Sequence, residues 1–305
     1  MPVSTPSNDA HGADSVAPLT LGFIGLGTMG WPMCGHLQRA GHALRVFVRD
    51  PQRRARAEAA GMRVCASAAE VARGAQVVLT NVTSTADVEQ VLLGADGVVH
   101  GAAAGLLCID HSTIAPAGAR RIGAALRDRG IDFVDAPVSG GERGAIDATL
   151  TIMLGGDEGP CARALPLLRA YGRSITRIGG VGDGQVAKLC NQIVQVINIE
   201  GIAEAMRFAA AEGADLSRVL QAISAGFAGS RMLDLMGPKM VARDFAAGIQ
   251  ARLHAKDFGL AADAAADAGL QLPALAAVHA QLRQLMALGL GQRDTSALLQ
   301  VLEGG

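Results

Sequence analysis

Four polar side chains on one face of an otherwise apolar segment mark where this sequence could do chemistry. Over residues 184–198, Lys188, Asn191, Gln192 and Gln195 recur at i, i+3, i+4 and i+7, the offsets of a single helical face. Val186, Ala187, Leu189, Ile193, Val194, Val196 and Ile197 make most of the remainder apolar. An ammonium taken out of water is costly unless it is paired. Lys188 therefore snorkels to solvent, sits in a satisfied polar contact between helices, or moves a proton. As an ammonium with an ordinary lysine pKa it is already an acid near neutrality. To act as a base it needs a pKa lowered by burial or by a nearby cation. Taken alone, the helix favours the structural readings over the catalytic one.

The elements that must position this stripe follow two patterns. Short apolar runs at 21–24, 44–48, 77–81, 106–110, 133–136 and 149–154 alternate with Ala-, Arg- and Glu-rich stretches such as 52–60 and 117–129. The first kind predicts strands and the second helices, and their alternation predicts a parallel sheet with helices on both faces. After the glycine cluster at 179–184 the strand signal stops. Segments 185–212, 216–225, 253–268 and 274–288 read as helices, with Gly213, Gly269, Gly289 and Gly291 as stops. The expected organisation is a disordered tail over 1–18, an α/β domain over 19–182 and an all-helical domain over 183–305.

Composition removes several classes of function. The 27 Lys and Arg nearly balance the 28 Asp and Glu, which argues against a nucleic-acid surface. Half of the 305 residues are hydrophobic and only 3% are aromatic, so a sizeable core must be built from Ala, Leu, Val and Ile. The five cysteines are scattered and include no CxxC, and the seven histidines form no ligand pair, so neither a disulfide framework nor a metal site is expected. A reducing cytoplasm fits this cysteine usage. The first 18 residues lack the apolar stretch of a signal peptide, and no run reaches the roughly 18 charge-free apolar residues of a membrane span.

Two further motifs surround the lysine helix. Gly25-Leu26-Gly27-Thr28-Met29-Gly30 follows the first strand run and opens a helical stretch, with Pro32 tolerable in its first turn. This spacing provides a tight turn, close backbone approach to a pyrophosphate, and a helix N-terminus aimed at the anion. At the end of the second strand run, Arg49 and Arg53 favour the 2′-phosphate of NADP while Asp50 keeps NAD open. Ser139, Gly140 and Gly141, after Asp135-Ala136-Pro137-Val138, could offer backbone N–H groups to a carboxylate; a plain turn is the alternative.

Taken together, these motifs and Lys256-Asp257-Phe258-Gly259-Leu260-Ala261 stand in the order and spacing of the β-hydroxyacid dehydrogenases, which the chain resembles from Leu21 to about Glu303. The resemblance implies a Rossmann domain followed by an all-α domain, NAD or NADP as cofactor, and a homo-oligomer; the slight lean to NADP comes from Arg49 and Arg53. It implies hydride transfer between that cofactor and a small 3-hydroxy acid or its semialdehyde. Lys188 matches the catalytic lysine, with Asn191 as its first-ranked partner and Gln192 as its second. Ser139, Gly140 and Gly141 match the substrate-carboxylate loop, and Thr113, after Ser112, matches the loop beside the nicotinamide. Lys256 matches a lysine closing over the cofactor, and Val82 and Thr83 match a cofactor loop in which Thr83 replaces the usual proline. Segments 230–245 and 289–297 look most like the tartronate semialdehyde reductase branch, with 3-hydroxyisobutyrate dehydrogenase as the near alternative. An imine reductase and a non-catalytic dinucleotide-binding module share the architecture, but both usually lack the lysine that stands here at 188. 6-Phosphogluconate dehydrogenase has a much longer helical region.

Overall fold

The computed structural model describes residues 17–304. Of the tail expected over 1–18, all but Ala17 and Pro18 lies outside the described residues. The strands are β1 (Thr20–Ile24), β2 (Ala43–Phe47), β3 (Arg63–Cys65), β4 (Val77–Thr80), β5 (Leu107–Asp110), β6 (Asp132–Asp135), β7 (Val138–Ser139), β8 (Leu150–Gly155) and β9 (Gly172–Gly179). Among them run the helices α1 (Gly30–Arg39), α2 (Pro51–Ala59), α3 (Ala68–Ala72), α4 (Thr85–Leu93), α5 (Pro116–Arg127), α6 (Gly141–Ile146) and α7 (Glu158–Leu168). The rest is helical: α8 (Asp183–Ala211), α9 (Leu216–Ser224), α10 (Arg231–Ala242), α11 (Ala251–Asp267), α12 (Pro273–Ala287) and α13 (Leu298–Leu302).

The sheet runs in the order β3-β2-β1-β4-β5-β6-β8-β7, with β9 paired to β8. Strands β1 to β6 are mutually parallel, and the order reverses at β1, between β2 and β4. That reversal opens a crevice at the carboxyl ends of β1 and β4, the place where open α/β sheets bind ligands. The two-residue alternation of side chains explains why both faces are covered. On β4, Val77 and Leu79 join the cluster containing Phe23, Met33 and Leu37, while Val78 joins the opposite cluster containing Val88, Leu92 and Ile122.

The parallel arrangement changes at one edge. β6 meets β8 antiparallel through Asp135 and Gly155, and β7 also runs antiparallel to β8. A parallel return needs a connection long enough to go back along the sheet. The only helix between β6 and β8 is the six-residue α6. At 1.5 Å per residue it covers roughly 9 Å, about half of what a five-residue strand spans. β8 therefore starts beside the end of β7 and runs back until its last residue, Gly155, pairs with the last residue of β6.

The helical part packs around α8 in a third cluster that includes Val196, Ile199, Met206, Phe258 and Leu282. α10 was missed by the sequence reading because Gly237-Pro238 looks like a break. Yet Ser230 caps the helix, its hydroxyl accepting from Leu233 N–H at 3.0 Å, and a Cβ on Gly237 would strike Leu220 of α9. The glycine permits the close approach of the two helices. Among the described residues no helix is long and apolar enough to cross a membrane, and no group of His, Cys, Asp and Glu could hold a metal ion.

Candidate active site

The glycine turn between β1 and α1 divides its work among its three glycines. Gly25 adopts φ +103°, where L side chains are strained, and a Cβ there would strike the backbone of Asn81. A Cβ on Gly30 would strike the Gly25 carbonyl, so that glycine permits the close packing of α1 on the turn. Gly27 faces open space, with nothing within 4 Å of an added Cβ. It leaves backbone bare toward a cleft of about 510 Å³ lined by Leu26, Arg49, Asp50, Arg53, Val82 and Thr83 among others. Leu26 is itself buried in the core, and Thr28 and Met29 complete the turn into α1. A dinucleotide fits this arrangement: the bare turn can approach a pyrophosphate, and the cleft has the size of a ligand site.

The end of β2 borders the same cleft. Asp50 caps α2, its Oδ1 accepting from Arg53 N–H at 2.8 Å. Arg53 reaches back to the Leu26 carbonyl across the cleft at 3.5 Å, and Arg49 is exposed at the rim. Two guanidinium groups and one carboxylate already serving as a cap face the same space.

The loops after β4 and β5 are bound to one another. Val82 N–H donates to Ser112 Oγ at 2.9 Å, and Thr80 Oγ1 and Ser112 N–H both donate to Asp110 Oδ1 at 2.8 and 3.1 Å. Burial pushes Asp110 up to about 6 against the pull of these donors. From α8, the fully buried Gln185 clamps the second loop with both ends of its amide. Its Nε2 donates to the Ser112 carbonyl at 2.8 Å and its Oε1 accepts from Ile114 N–H at 3.0 Å. Sequence reasoning missed Gln185, although it lies three residues before Lys188 and on the same side of the helix.

α8 is seated by Asp135 at the end of β6. Its two carboxylate oxygens accept from Gly182 N–H at 2.7 Å and Gln185 N–H at 2.8 Å, supplying the cap that Gly182 cannot. A Cβ on Gly184 would meet the Met153 and Asp135 carbonyls at 2.5 and 2.8 Å, so only glycine lets the helix approach the sheet this closely.

One turn further along α8, Lys188 is only 7% exposed. Its Nζ has a single acceptor among the described residues, Gln192 Oε1 at 3.0 Å. Burial pushes the ammonium down to about 8; the Asp257 carboxylate opposes that shift and the Lys256 ammonium adds to it. The sequence ranked Asn191 ahead of Gln192 as the partner of Lys188, and for this contact the order reverses. Gln192 is buried and holds the lysine, while Asn191 is half-buried and donates to Gln192 Oε1 at 2.9 Å and Gln195 Oε1 at 3.3 Å. The longer side chain at i+4 reaches inward, where it also donates to Asp257 Oδ2 at 2.7 Å.

Lys256 is held differently. Its Nζ donates to the Thr83 carbonyl at 3.0 Å and the Thr113 carbonyl at 2.6 Å, and it pairs with Asp257 Oδ1 at 3.0 Å. Two of its donors thus meet backbone carbonyls, and the carboxylate beside it balances its charge. The contact at Thr83 is made by its carbonyl, so the departure from proline leaves it intact. Lys256 thus joins the loops after β4 and β5 to α11, and the same α11 carries Asp257 to the Lys188 partner.

Ser139, Gly140 and Gly141 form a separate corner between β7 and α6. Gly140 and Gly141 have φ +132° and +62°, and an added Cβ on Gly141 would meet nothing within 4 Å. No hydrogen bond among the described residues links this corner to Lys188. It neighbours that helix through β8, which pairs with β7 and packs on α8.

The comparisons with known proteins agree with this geometry. Residues 20–180 match the NAD binding domain of 6-phosphogluconate dehydrogenase, and residues 182–302 match the NAD-binding domain of NADP-dependent 3-hydroxyisobutyrate dehydrogenase. The chain is 41% identical over 285 residues to 2-hydroxy-3-oxopropionate reductase of Escherichia coli (strain K12), covering 93% of this chain and 97% of that one. It is 37% identical over 290 residues to NAD-dependent L-serine dehydrogenase of Pseudomonas aeruginosa, covering 93% and 97%. The structure of Mycobacterium tuberculosis 3-hydroxyisobutyrate dehydrogenase with L-serine superposes with a TM-score of 0.87 at 33% identity, covering 94% of this chain and 99% of that one. With a bare glycine turn at the crevice of the sheet, a lysine-bearing helix seated against it and relatives of this identity along nearly its whole length, the chain belongs to the β-hydroxyacid dehydrogenase family of NAD(P)-dependent oxidoreductases.

Proposed function

We propose that the chain reduces a small 3-oxo acid of the tartronate semialdehyde type to its hydroxy acid, with Lys188 as the proton donor. The observation that carries this reading is the contrast between the two lysines: Lys256 donates to two backbone carbonyls and is paired with a carboxylate, while the buried Lys188 has one acceptor, an uncharged amide. Lys188 keeps donors for a substrate oxygen. At pH 7 a lysine at about 8 is still about nine-tenths ammonium, the form that protonates an alkoxide. A bound nicotinamide supplies the hydride in this direction and accepts it in the reverse. In this reading Asn191, whose Nδ2 bonds Gln192, would orient the substrate hydroxyl, and the N–H groups around Ser139, Gly140 and Gly141 would hold its carboxylate. Gly25 to Gly30 would hold the pyrophosphate, and Arg49 and Arg53 the 2′-phosphate, which favours NADP. The semialdehyde assignment draws on the printed activity of the E. coli relative at 41% identity.

The chain acts in this reading as a homo-oligomer in the cytoplasm. Val186, Val194 and Phe208 stand 41%, 70% and 69% exposed along one side of α8, an apolar stripe suited to a second copy. All five cysteines are free thiols, as a reducing compartment requires.

Turnover of a panel of C3 to C5 semialdehydes and hydroxy acids, L-serine included, with NADPH and NADH tests the assignment. Tartronate semialdehyde with NADPH should give the highest kcat/KM. Lys188→Ala should lose roughly 10²- to 10⁴-fold in kcat, the range of a positioned general acid, with cofactor affinity unchanged. Absence of turnover on the whole panel, or a fully active Lys188→Ala, rejects it.

A further inference from the structure

A buried carboxylate close to Lys188, Asp257, has no role in the mechanism so far. Asp257 is 5% exposed and lies between two things that matter to the reaction. Its Oδ2 accepts from Gln192 Nε2 at 2.7 Å, and its Oδ1 pairs with Lys256 at 3.0 Å. An amide can be turned either way round, and here two contacts fix it. Asp257 accepts only from the nitrogen end of Gln192, which turns the oxygen end toward Lys188 Nζ. Asn191 donates to that same oxygen. With the carboxylate removed, the nitrogen end of the amide loses its acceptor, and only the donors to its oxygen still set its direction. A turned amide would present an NH₂ to an ammonium.

We infer that Asp257 is a positioning residue for Lys188, acting through the Gln192 amide, and that it ties the proton-transfer lysine to Lys256, which fastens α11 to both cofactor loops. The inference rests on the reading of Lys188 as the proton donor. It makes seating of the loops and readiness of the proton one event: a loop that releases Lys256 leaves Asp257 facing Gln192 without its cation. The titratable groups facing Lys188 from α11 are His254, Lys256 and Asp257. Burial holds His254 near 4, so it stays neutral across the range of interest. Asp135, on β6, is engaged at the start of α8.

The sequence makes a direct test possible, because Lys188, Lys239 and Lys256 are the only lysines of the chain. Lysine labelled with ¹³C at Cε gives three resonances, and in the cofactor-free full chain the titration of Lys188 is read without turnover. Asp257→Asn should move its midpoint down from about 8 by about one pH unit, the effect of losing one nearby opposite charge. Lys256→Met should move it up, and the double variant should return it toward the parent. Opposite displacements from two adjacent residues are not what general loosening of the fold gives. The route through Gln192 is read from a double-mutant cycle in kcat: Asp257→Asn should cost at least tenfold with Gln192 present and less than threefold in Gln192→Met. Equal losses in both backgrounds, or a Lys188 midpoint unmoved by both single variants, overturn the inference. Should Asp257→Asn not fold, the displacement in Lys256→Met decides. Lys188→Ala separates the two readings: if it stays active the proton-donor reading falls, and if it is inactive while the midpoint stays fixed only the coupling falls.

Discussion

Lys188 should make the protein less stable than it would otherwise be, and by an amount that depends on pH. The folded state lowers its pKa from the usual 10.5 to about 8, chiefly by burial. Because the folded value lies below the unfolded one, the unfolded chain binds more protons between them, and stability rises with pH across that window. Below about pH 8 both states carry the ammonium and the folded state bears the whole penalty. The gap corresponds to about 3 kcal/mol at pH 7, about 2 kcal/mol at pH 9 and less than about 0.5 kcal/mol at pH 10.5. Lys188→Met keeps an unbranched chain and leaves Gln192 Oε1 its bond from Asn191. The variant should therefore be inactive and yet about 2 to 3 kcal/mol more stable than the parent at pH 7, with the gain nearly gone at pH 10.5. Urea unfolding followed by circular dichroism at pH 7, 9 and 10.5 measures this. A variant no more stable at pH 7, or a gain that stays constant to pH 10.5, would refute the reasoning, since either would mean that Lys188 is not a desolvated cation in the fold.

The same lowered pKa sets the pH dependence of catalysis. Carbonyl reduction, which needs the ammonium, should fall tenfold per pH unit above about 8, and alcohol oxidation, which needs the amine, should rise with pH and level off there; kcat/KM in both directions from pH 6 to 10 checks it, and a reduction rate flat to pH 10 contradicts it. Gln185→Leu should strand the Ser112 carbonyl and the Ile114 N–H in a buried loop, costing about 2 to 4 kcal/mol and raising KM for the cofactor. Hydrogen exchange at the Ile114 amide should accelerate in that variant, and unchanged protection would mean that the clamp is dispensable.

What could be read from the residues alone was whatever is carried by close spacing. Gly25 to Gly30 lie within one turn of chain, and the polar stripe from Lys188 to Gln195 within two turns of one helix, so their types and offsets carry the signal. The architecture followed from runs with clear periods. β9 escaped because Gly172–Gly179 is an edge strand holding Arg173 and Arg177, exposed along most of its length, so it never shows an apolar run. α10 escaped because Gly237-Pro238 mimics a stop, although Ser230 at its cap was a readable start signal. The order of Asn191 and Gln192 was not legible in any degree. It depends on Asp257, 65 residues away from Gln192, and only the packing of α11 on α8 brings that carboxylate within reach. Lys256 lines up with Thr83 and Thr113 through their carbonyls, and a backbone oxygen leaves no mark in sequence.

The seating of α8 on Asp135 makes that helix a lever whose fulcrum lies at Gly182. At 1.5 Å per residue its 29 residues extend about 43 Å, while Lys188 stands only about 9 Å beyond the pivot. A one-degree tilt there would carry the far end through about 0.8 Å and the backbone at the lysine through about 0.2 Å. Any tilt of α8 about that point therefore displaces Lys188 against the sheet far less than it displaces the distal end of the helix. Variation along the distal half of α8 should therefore be tolerated by the chemistry far better than any change in its first two turns.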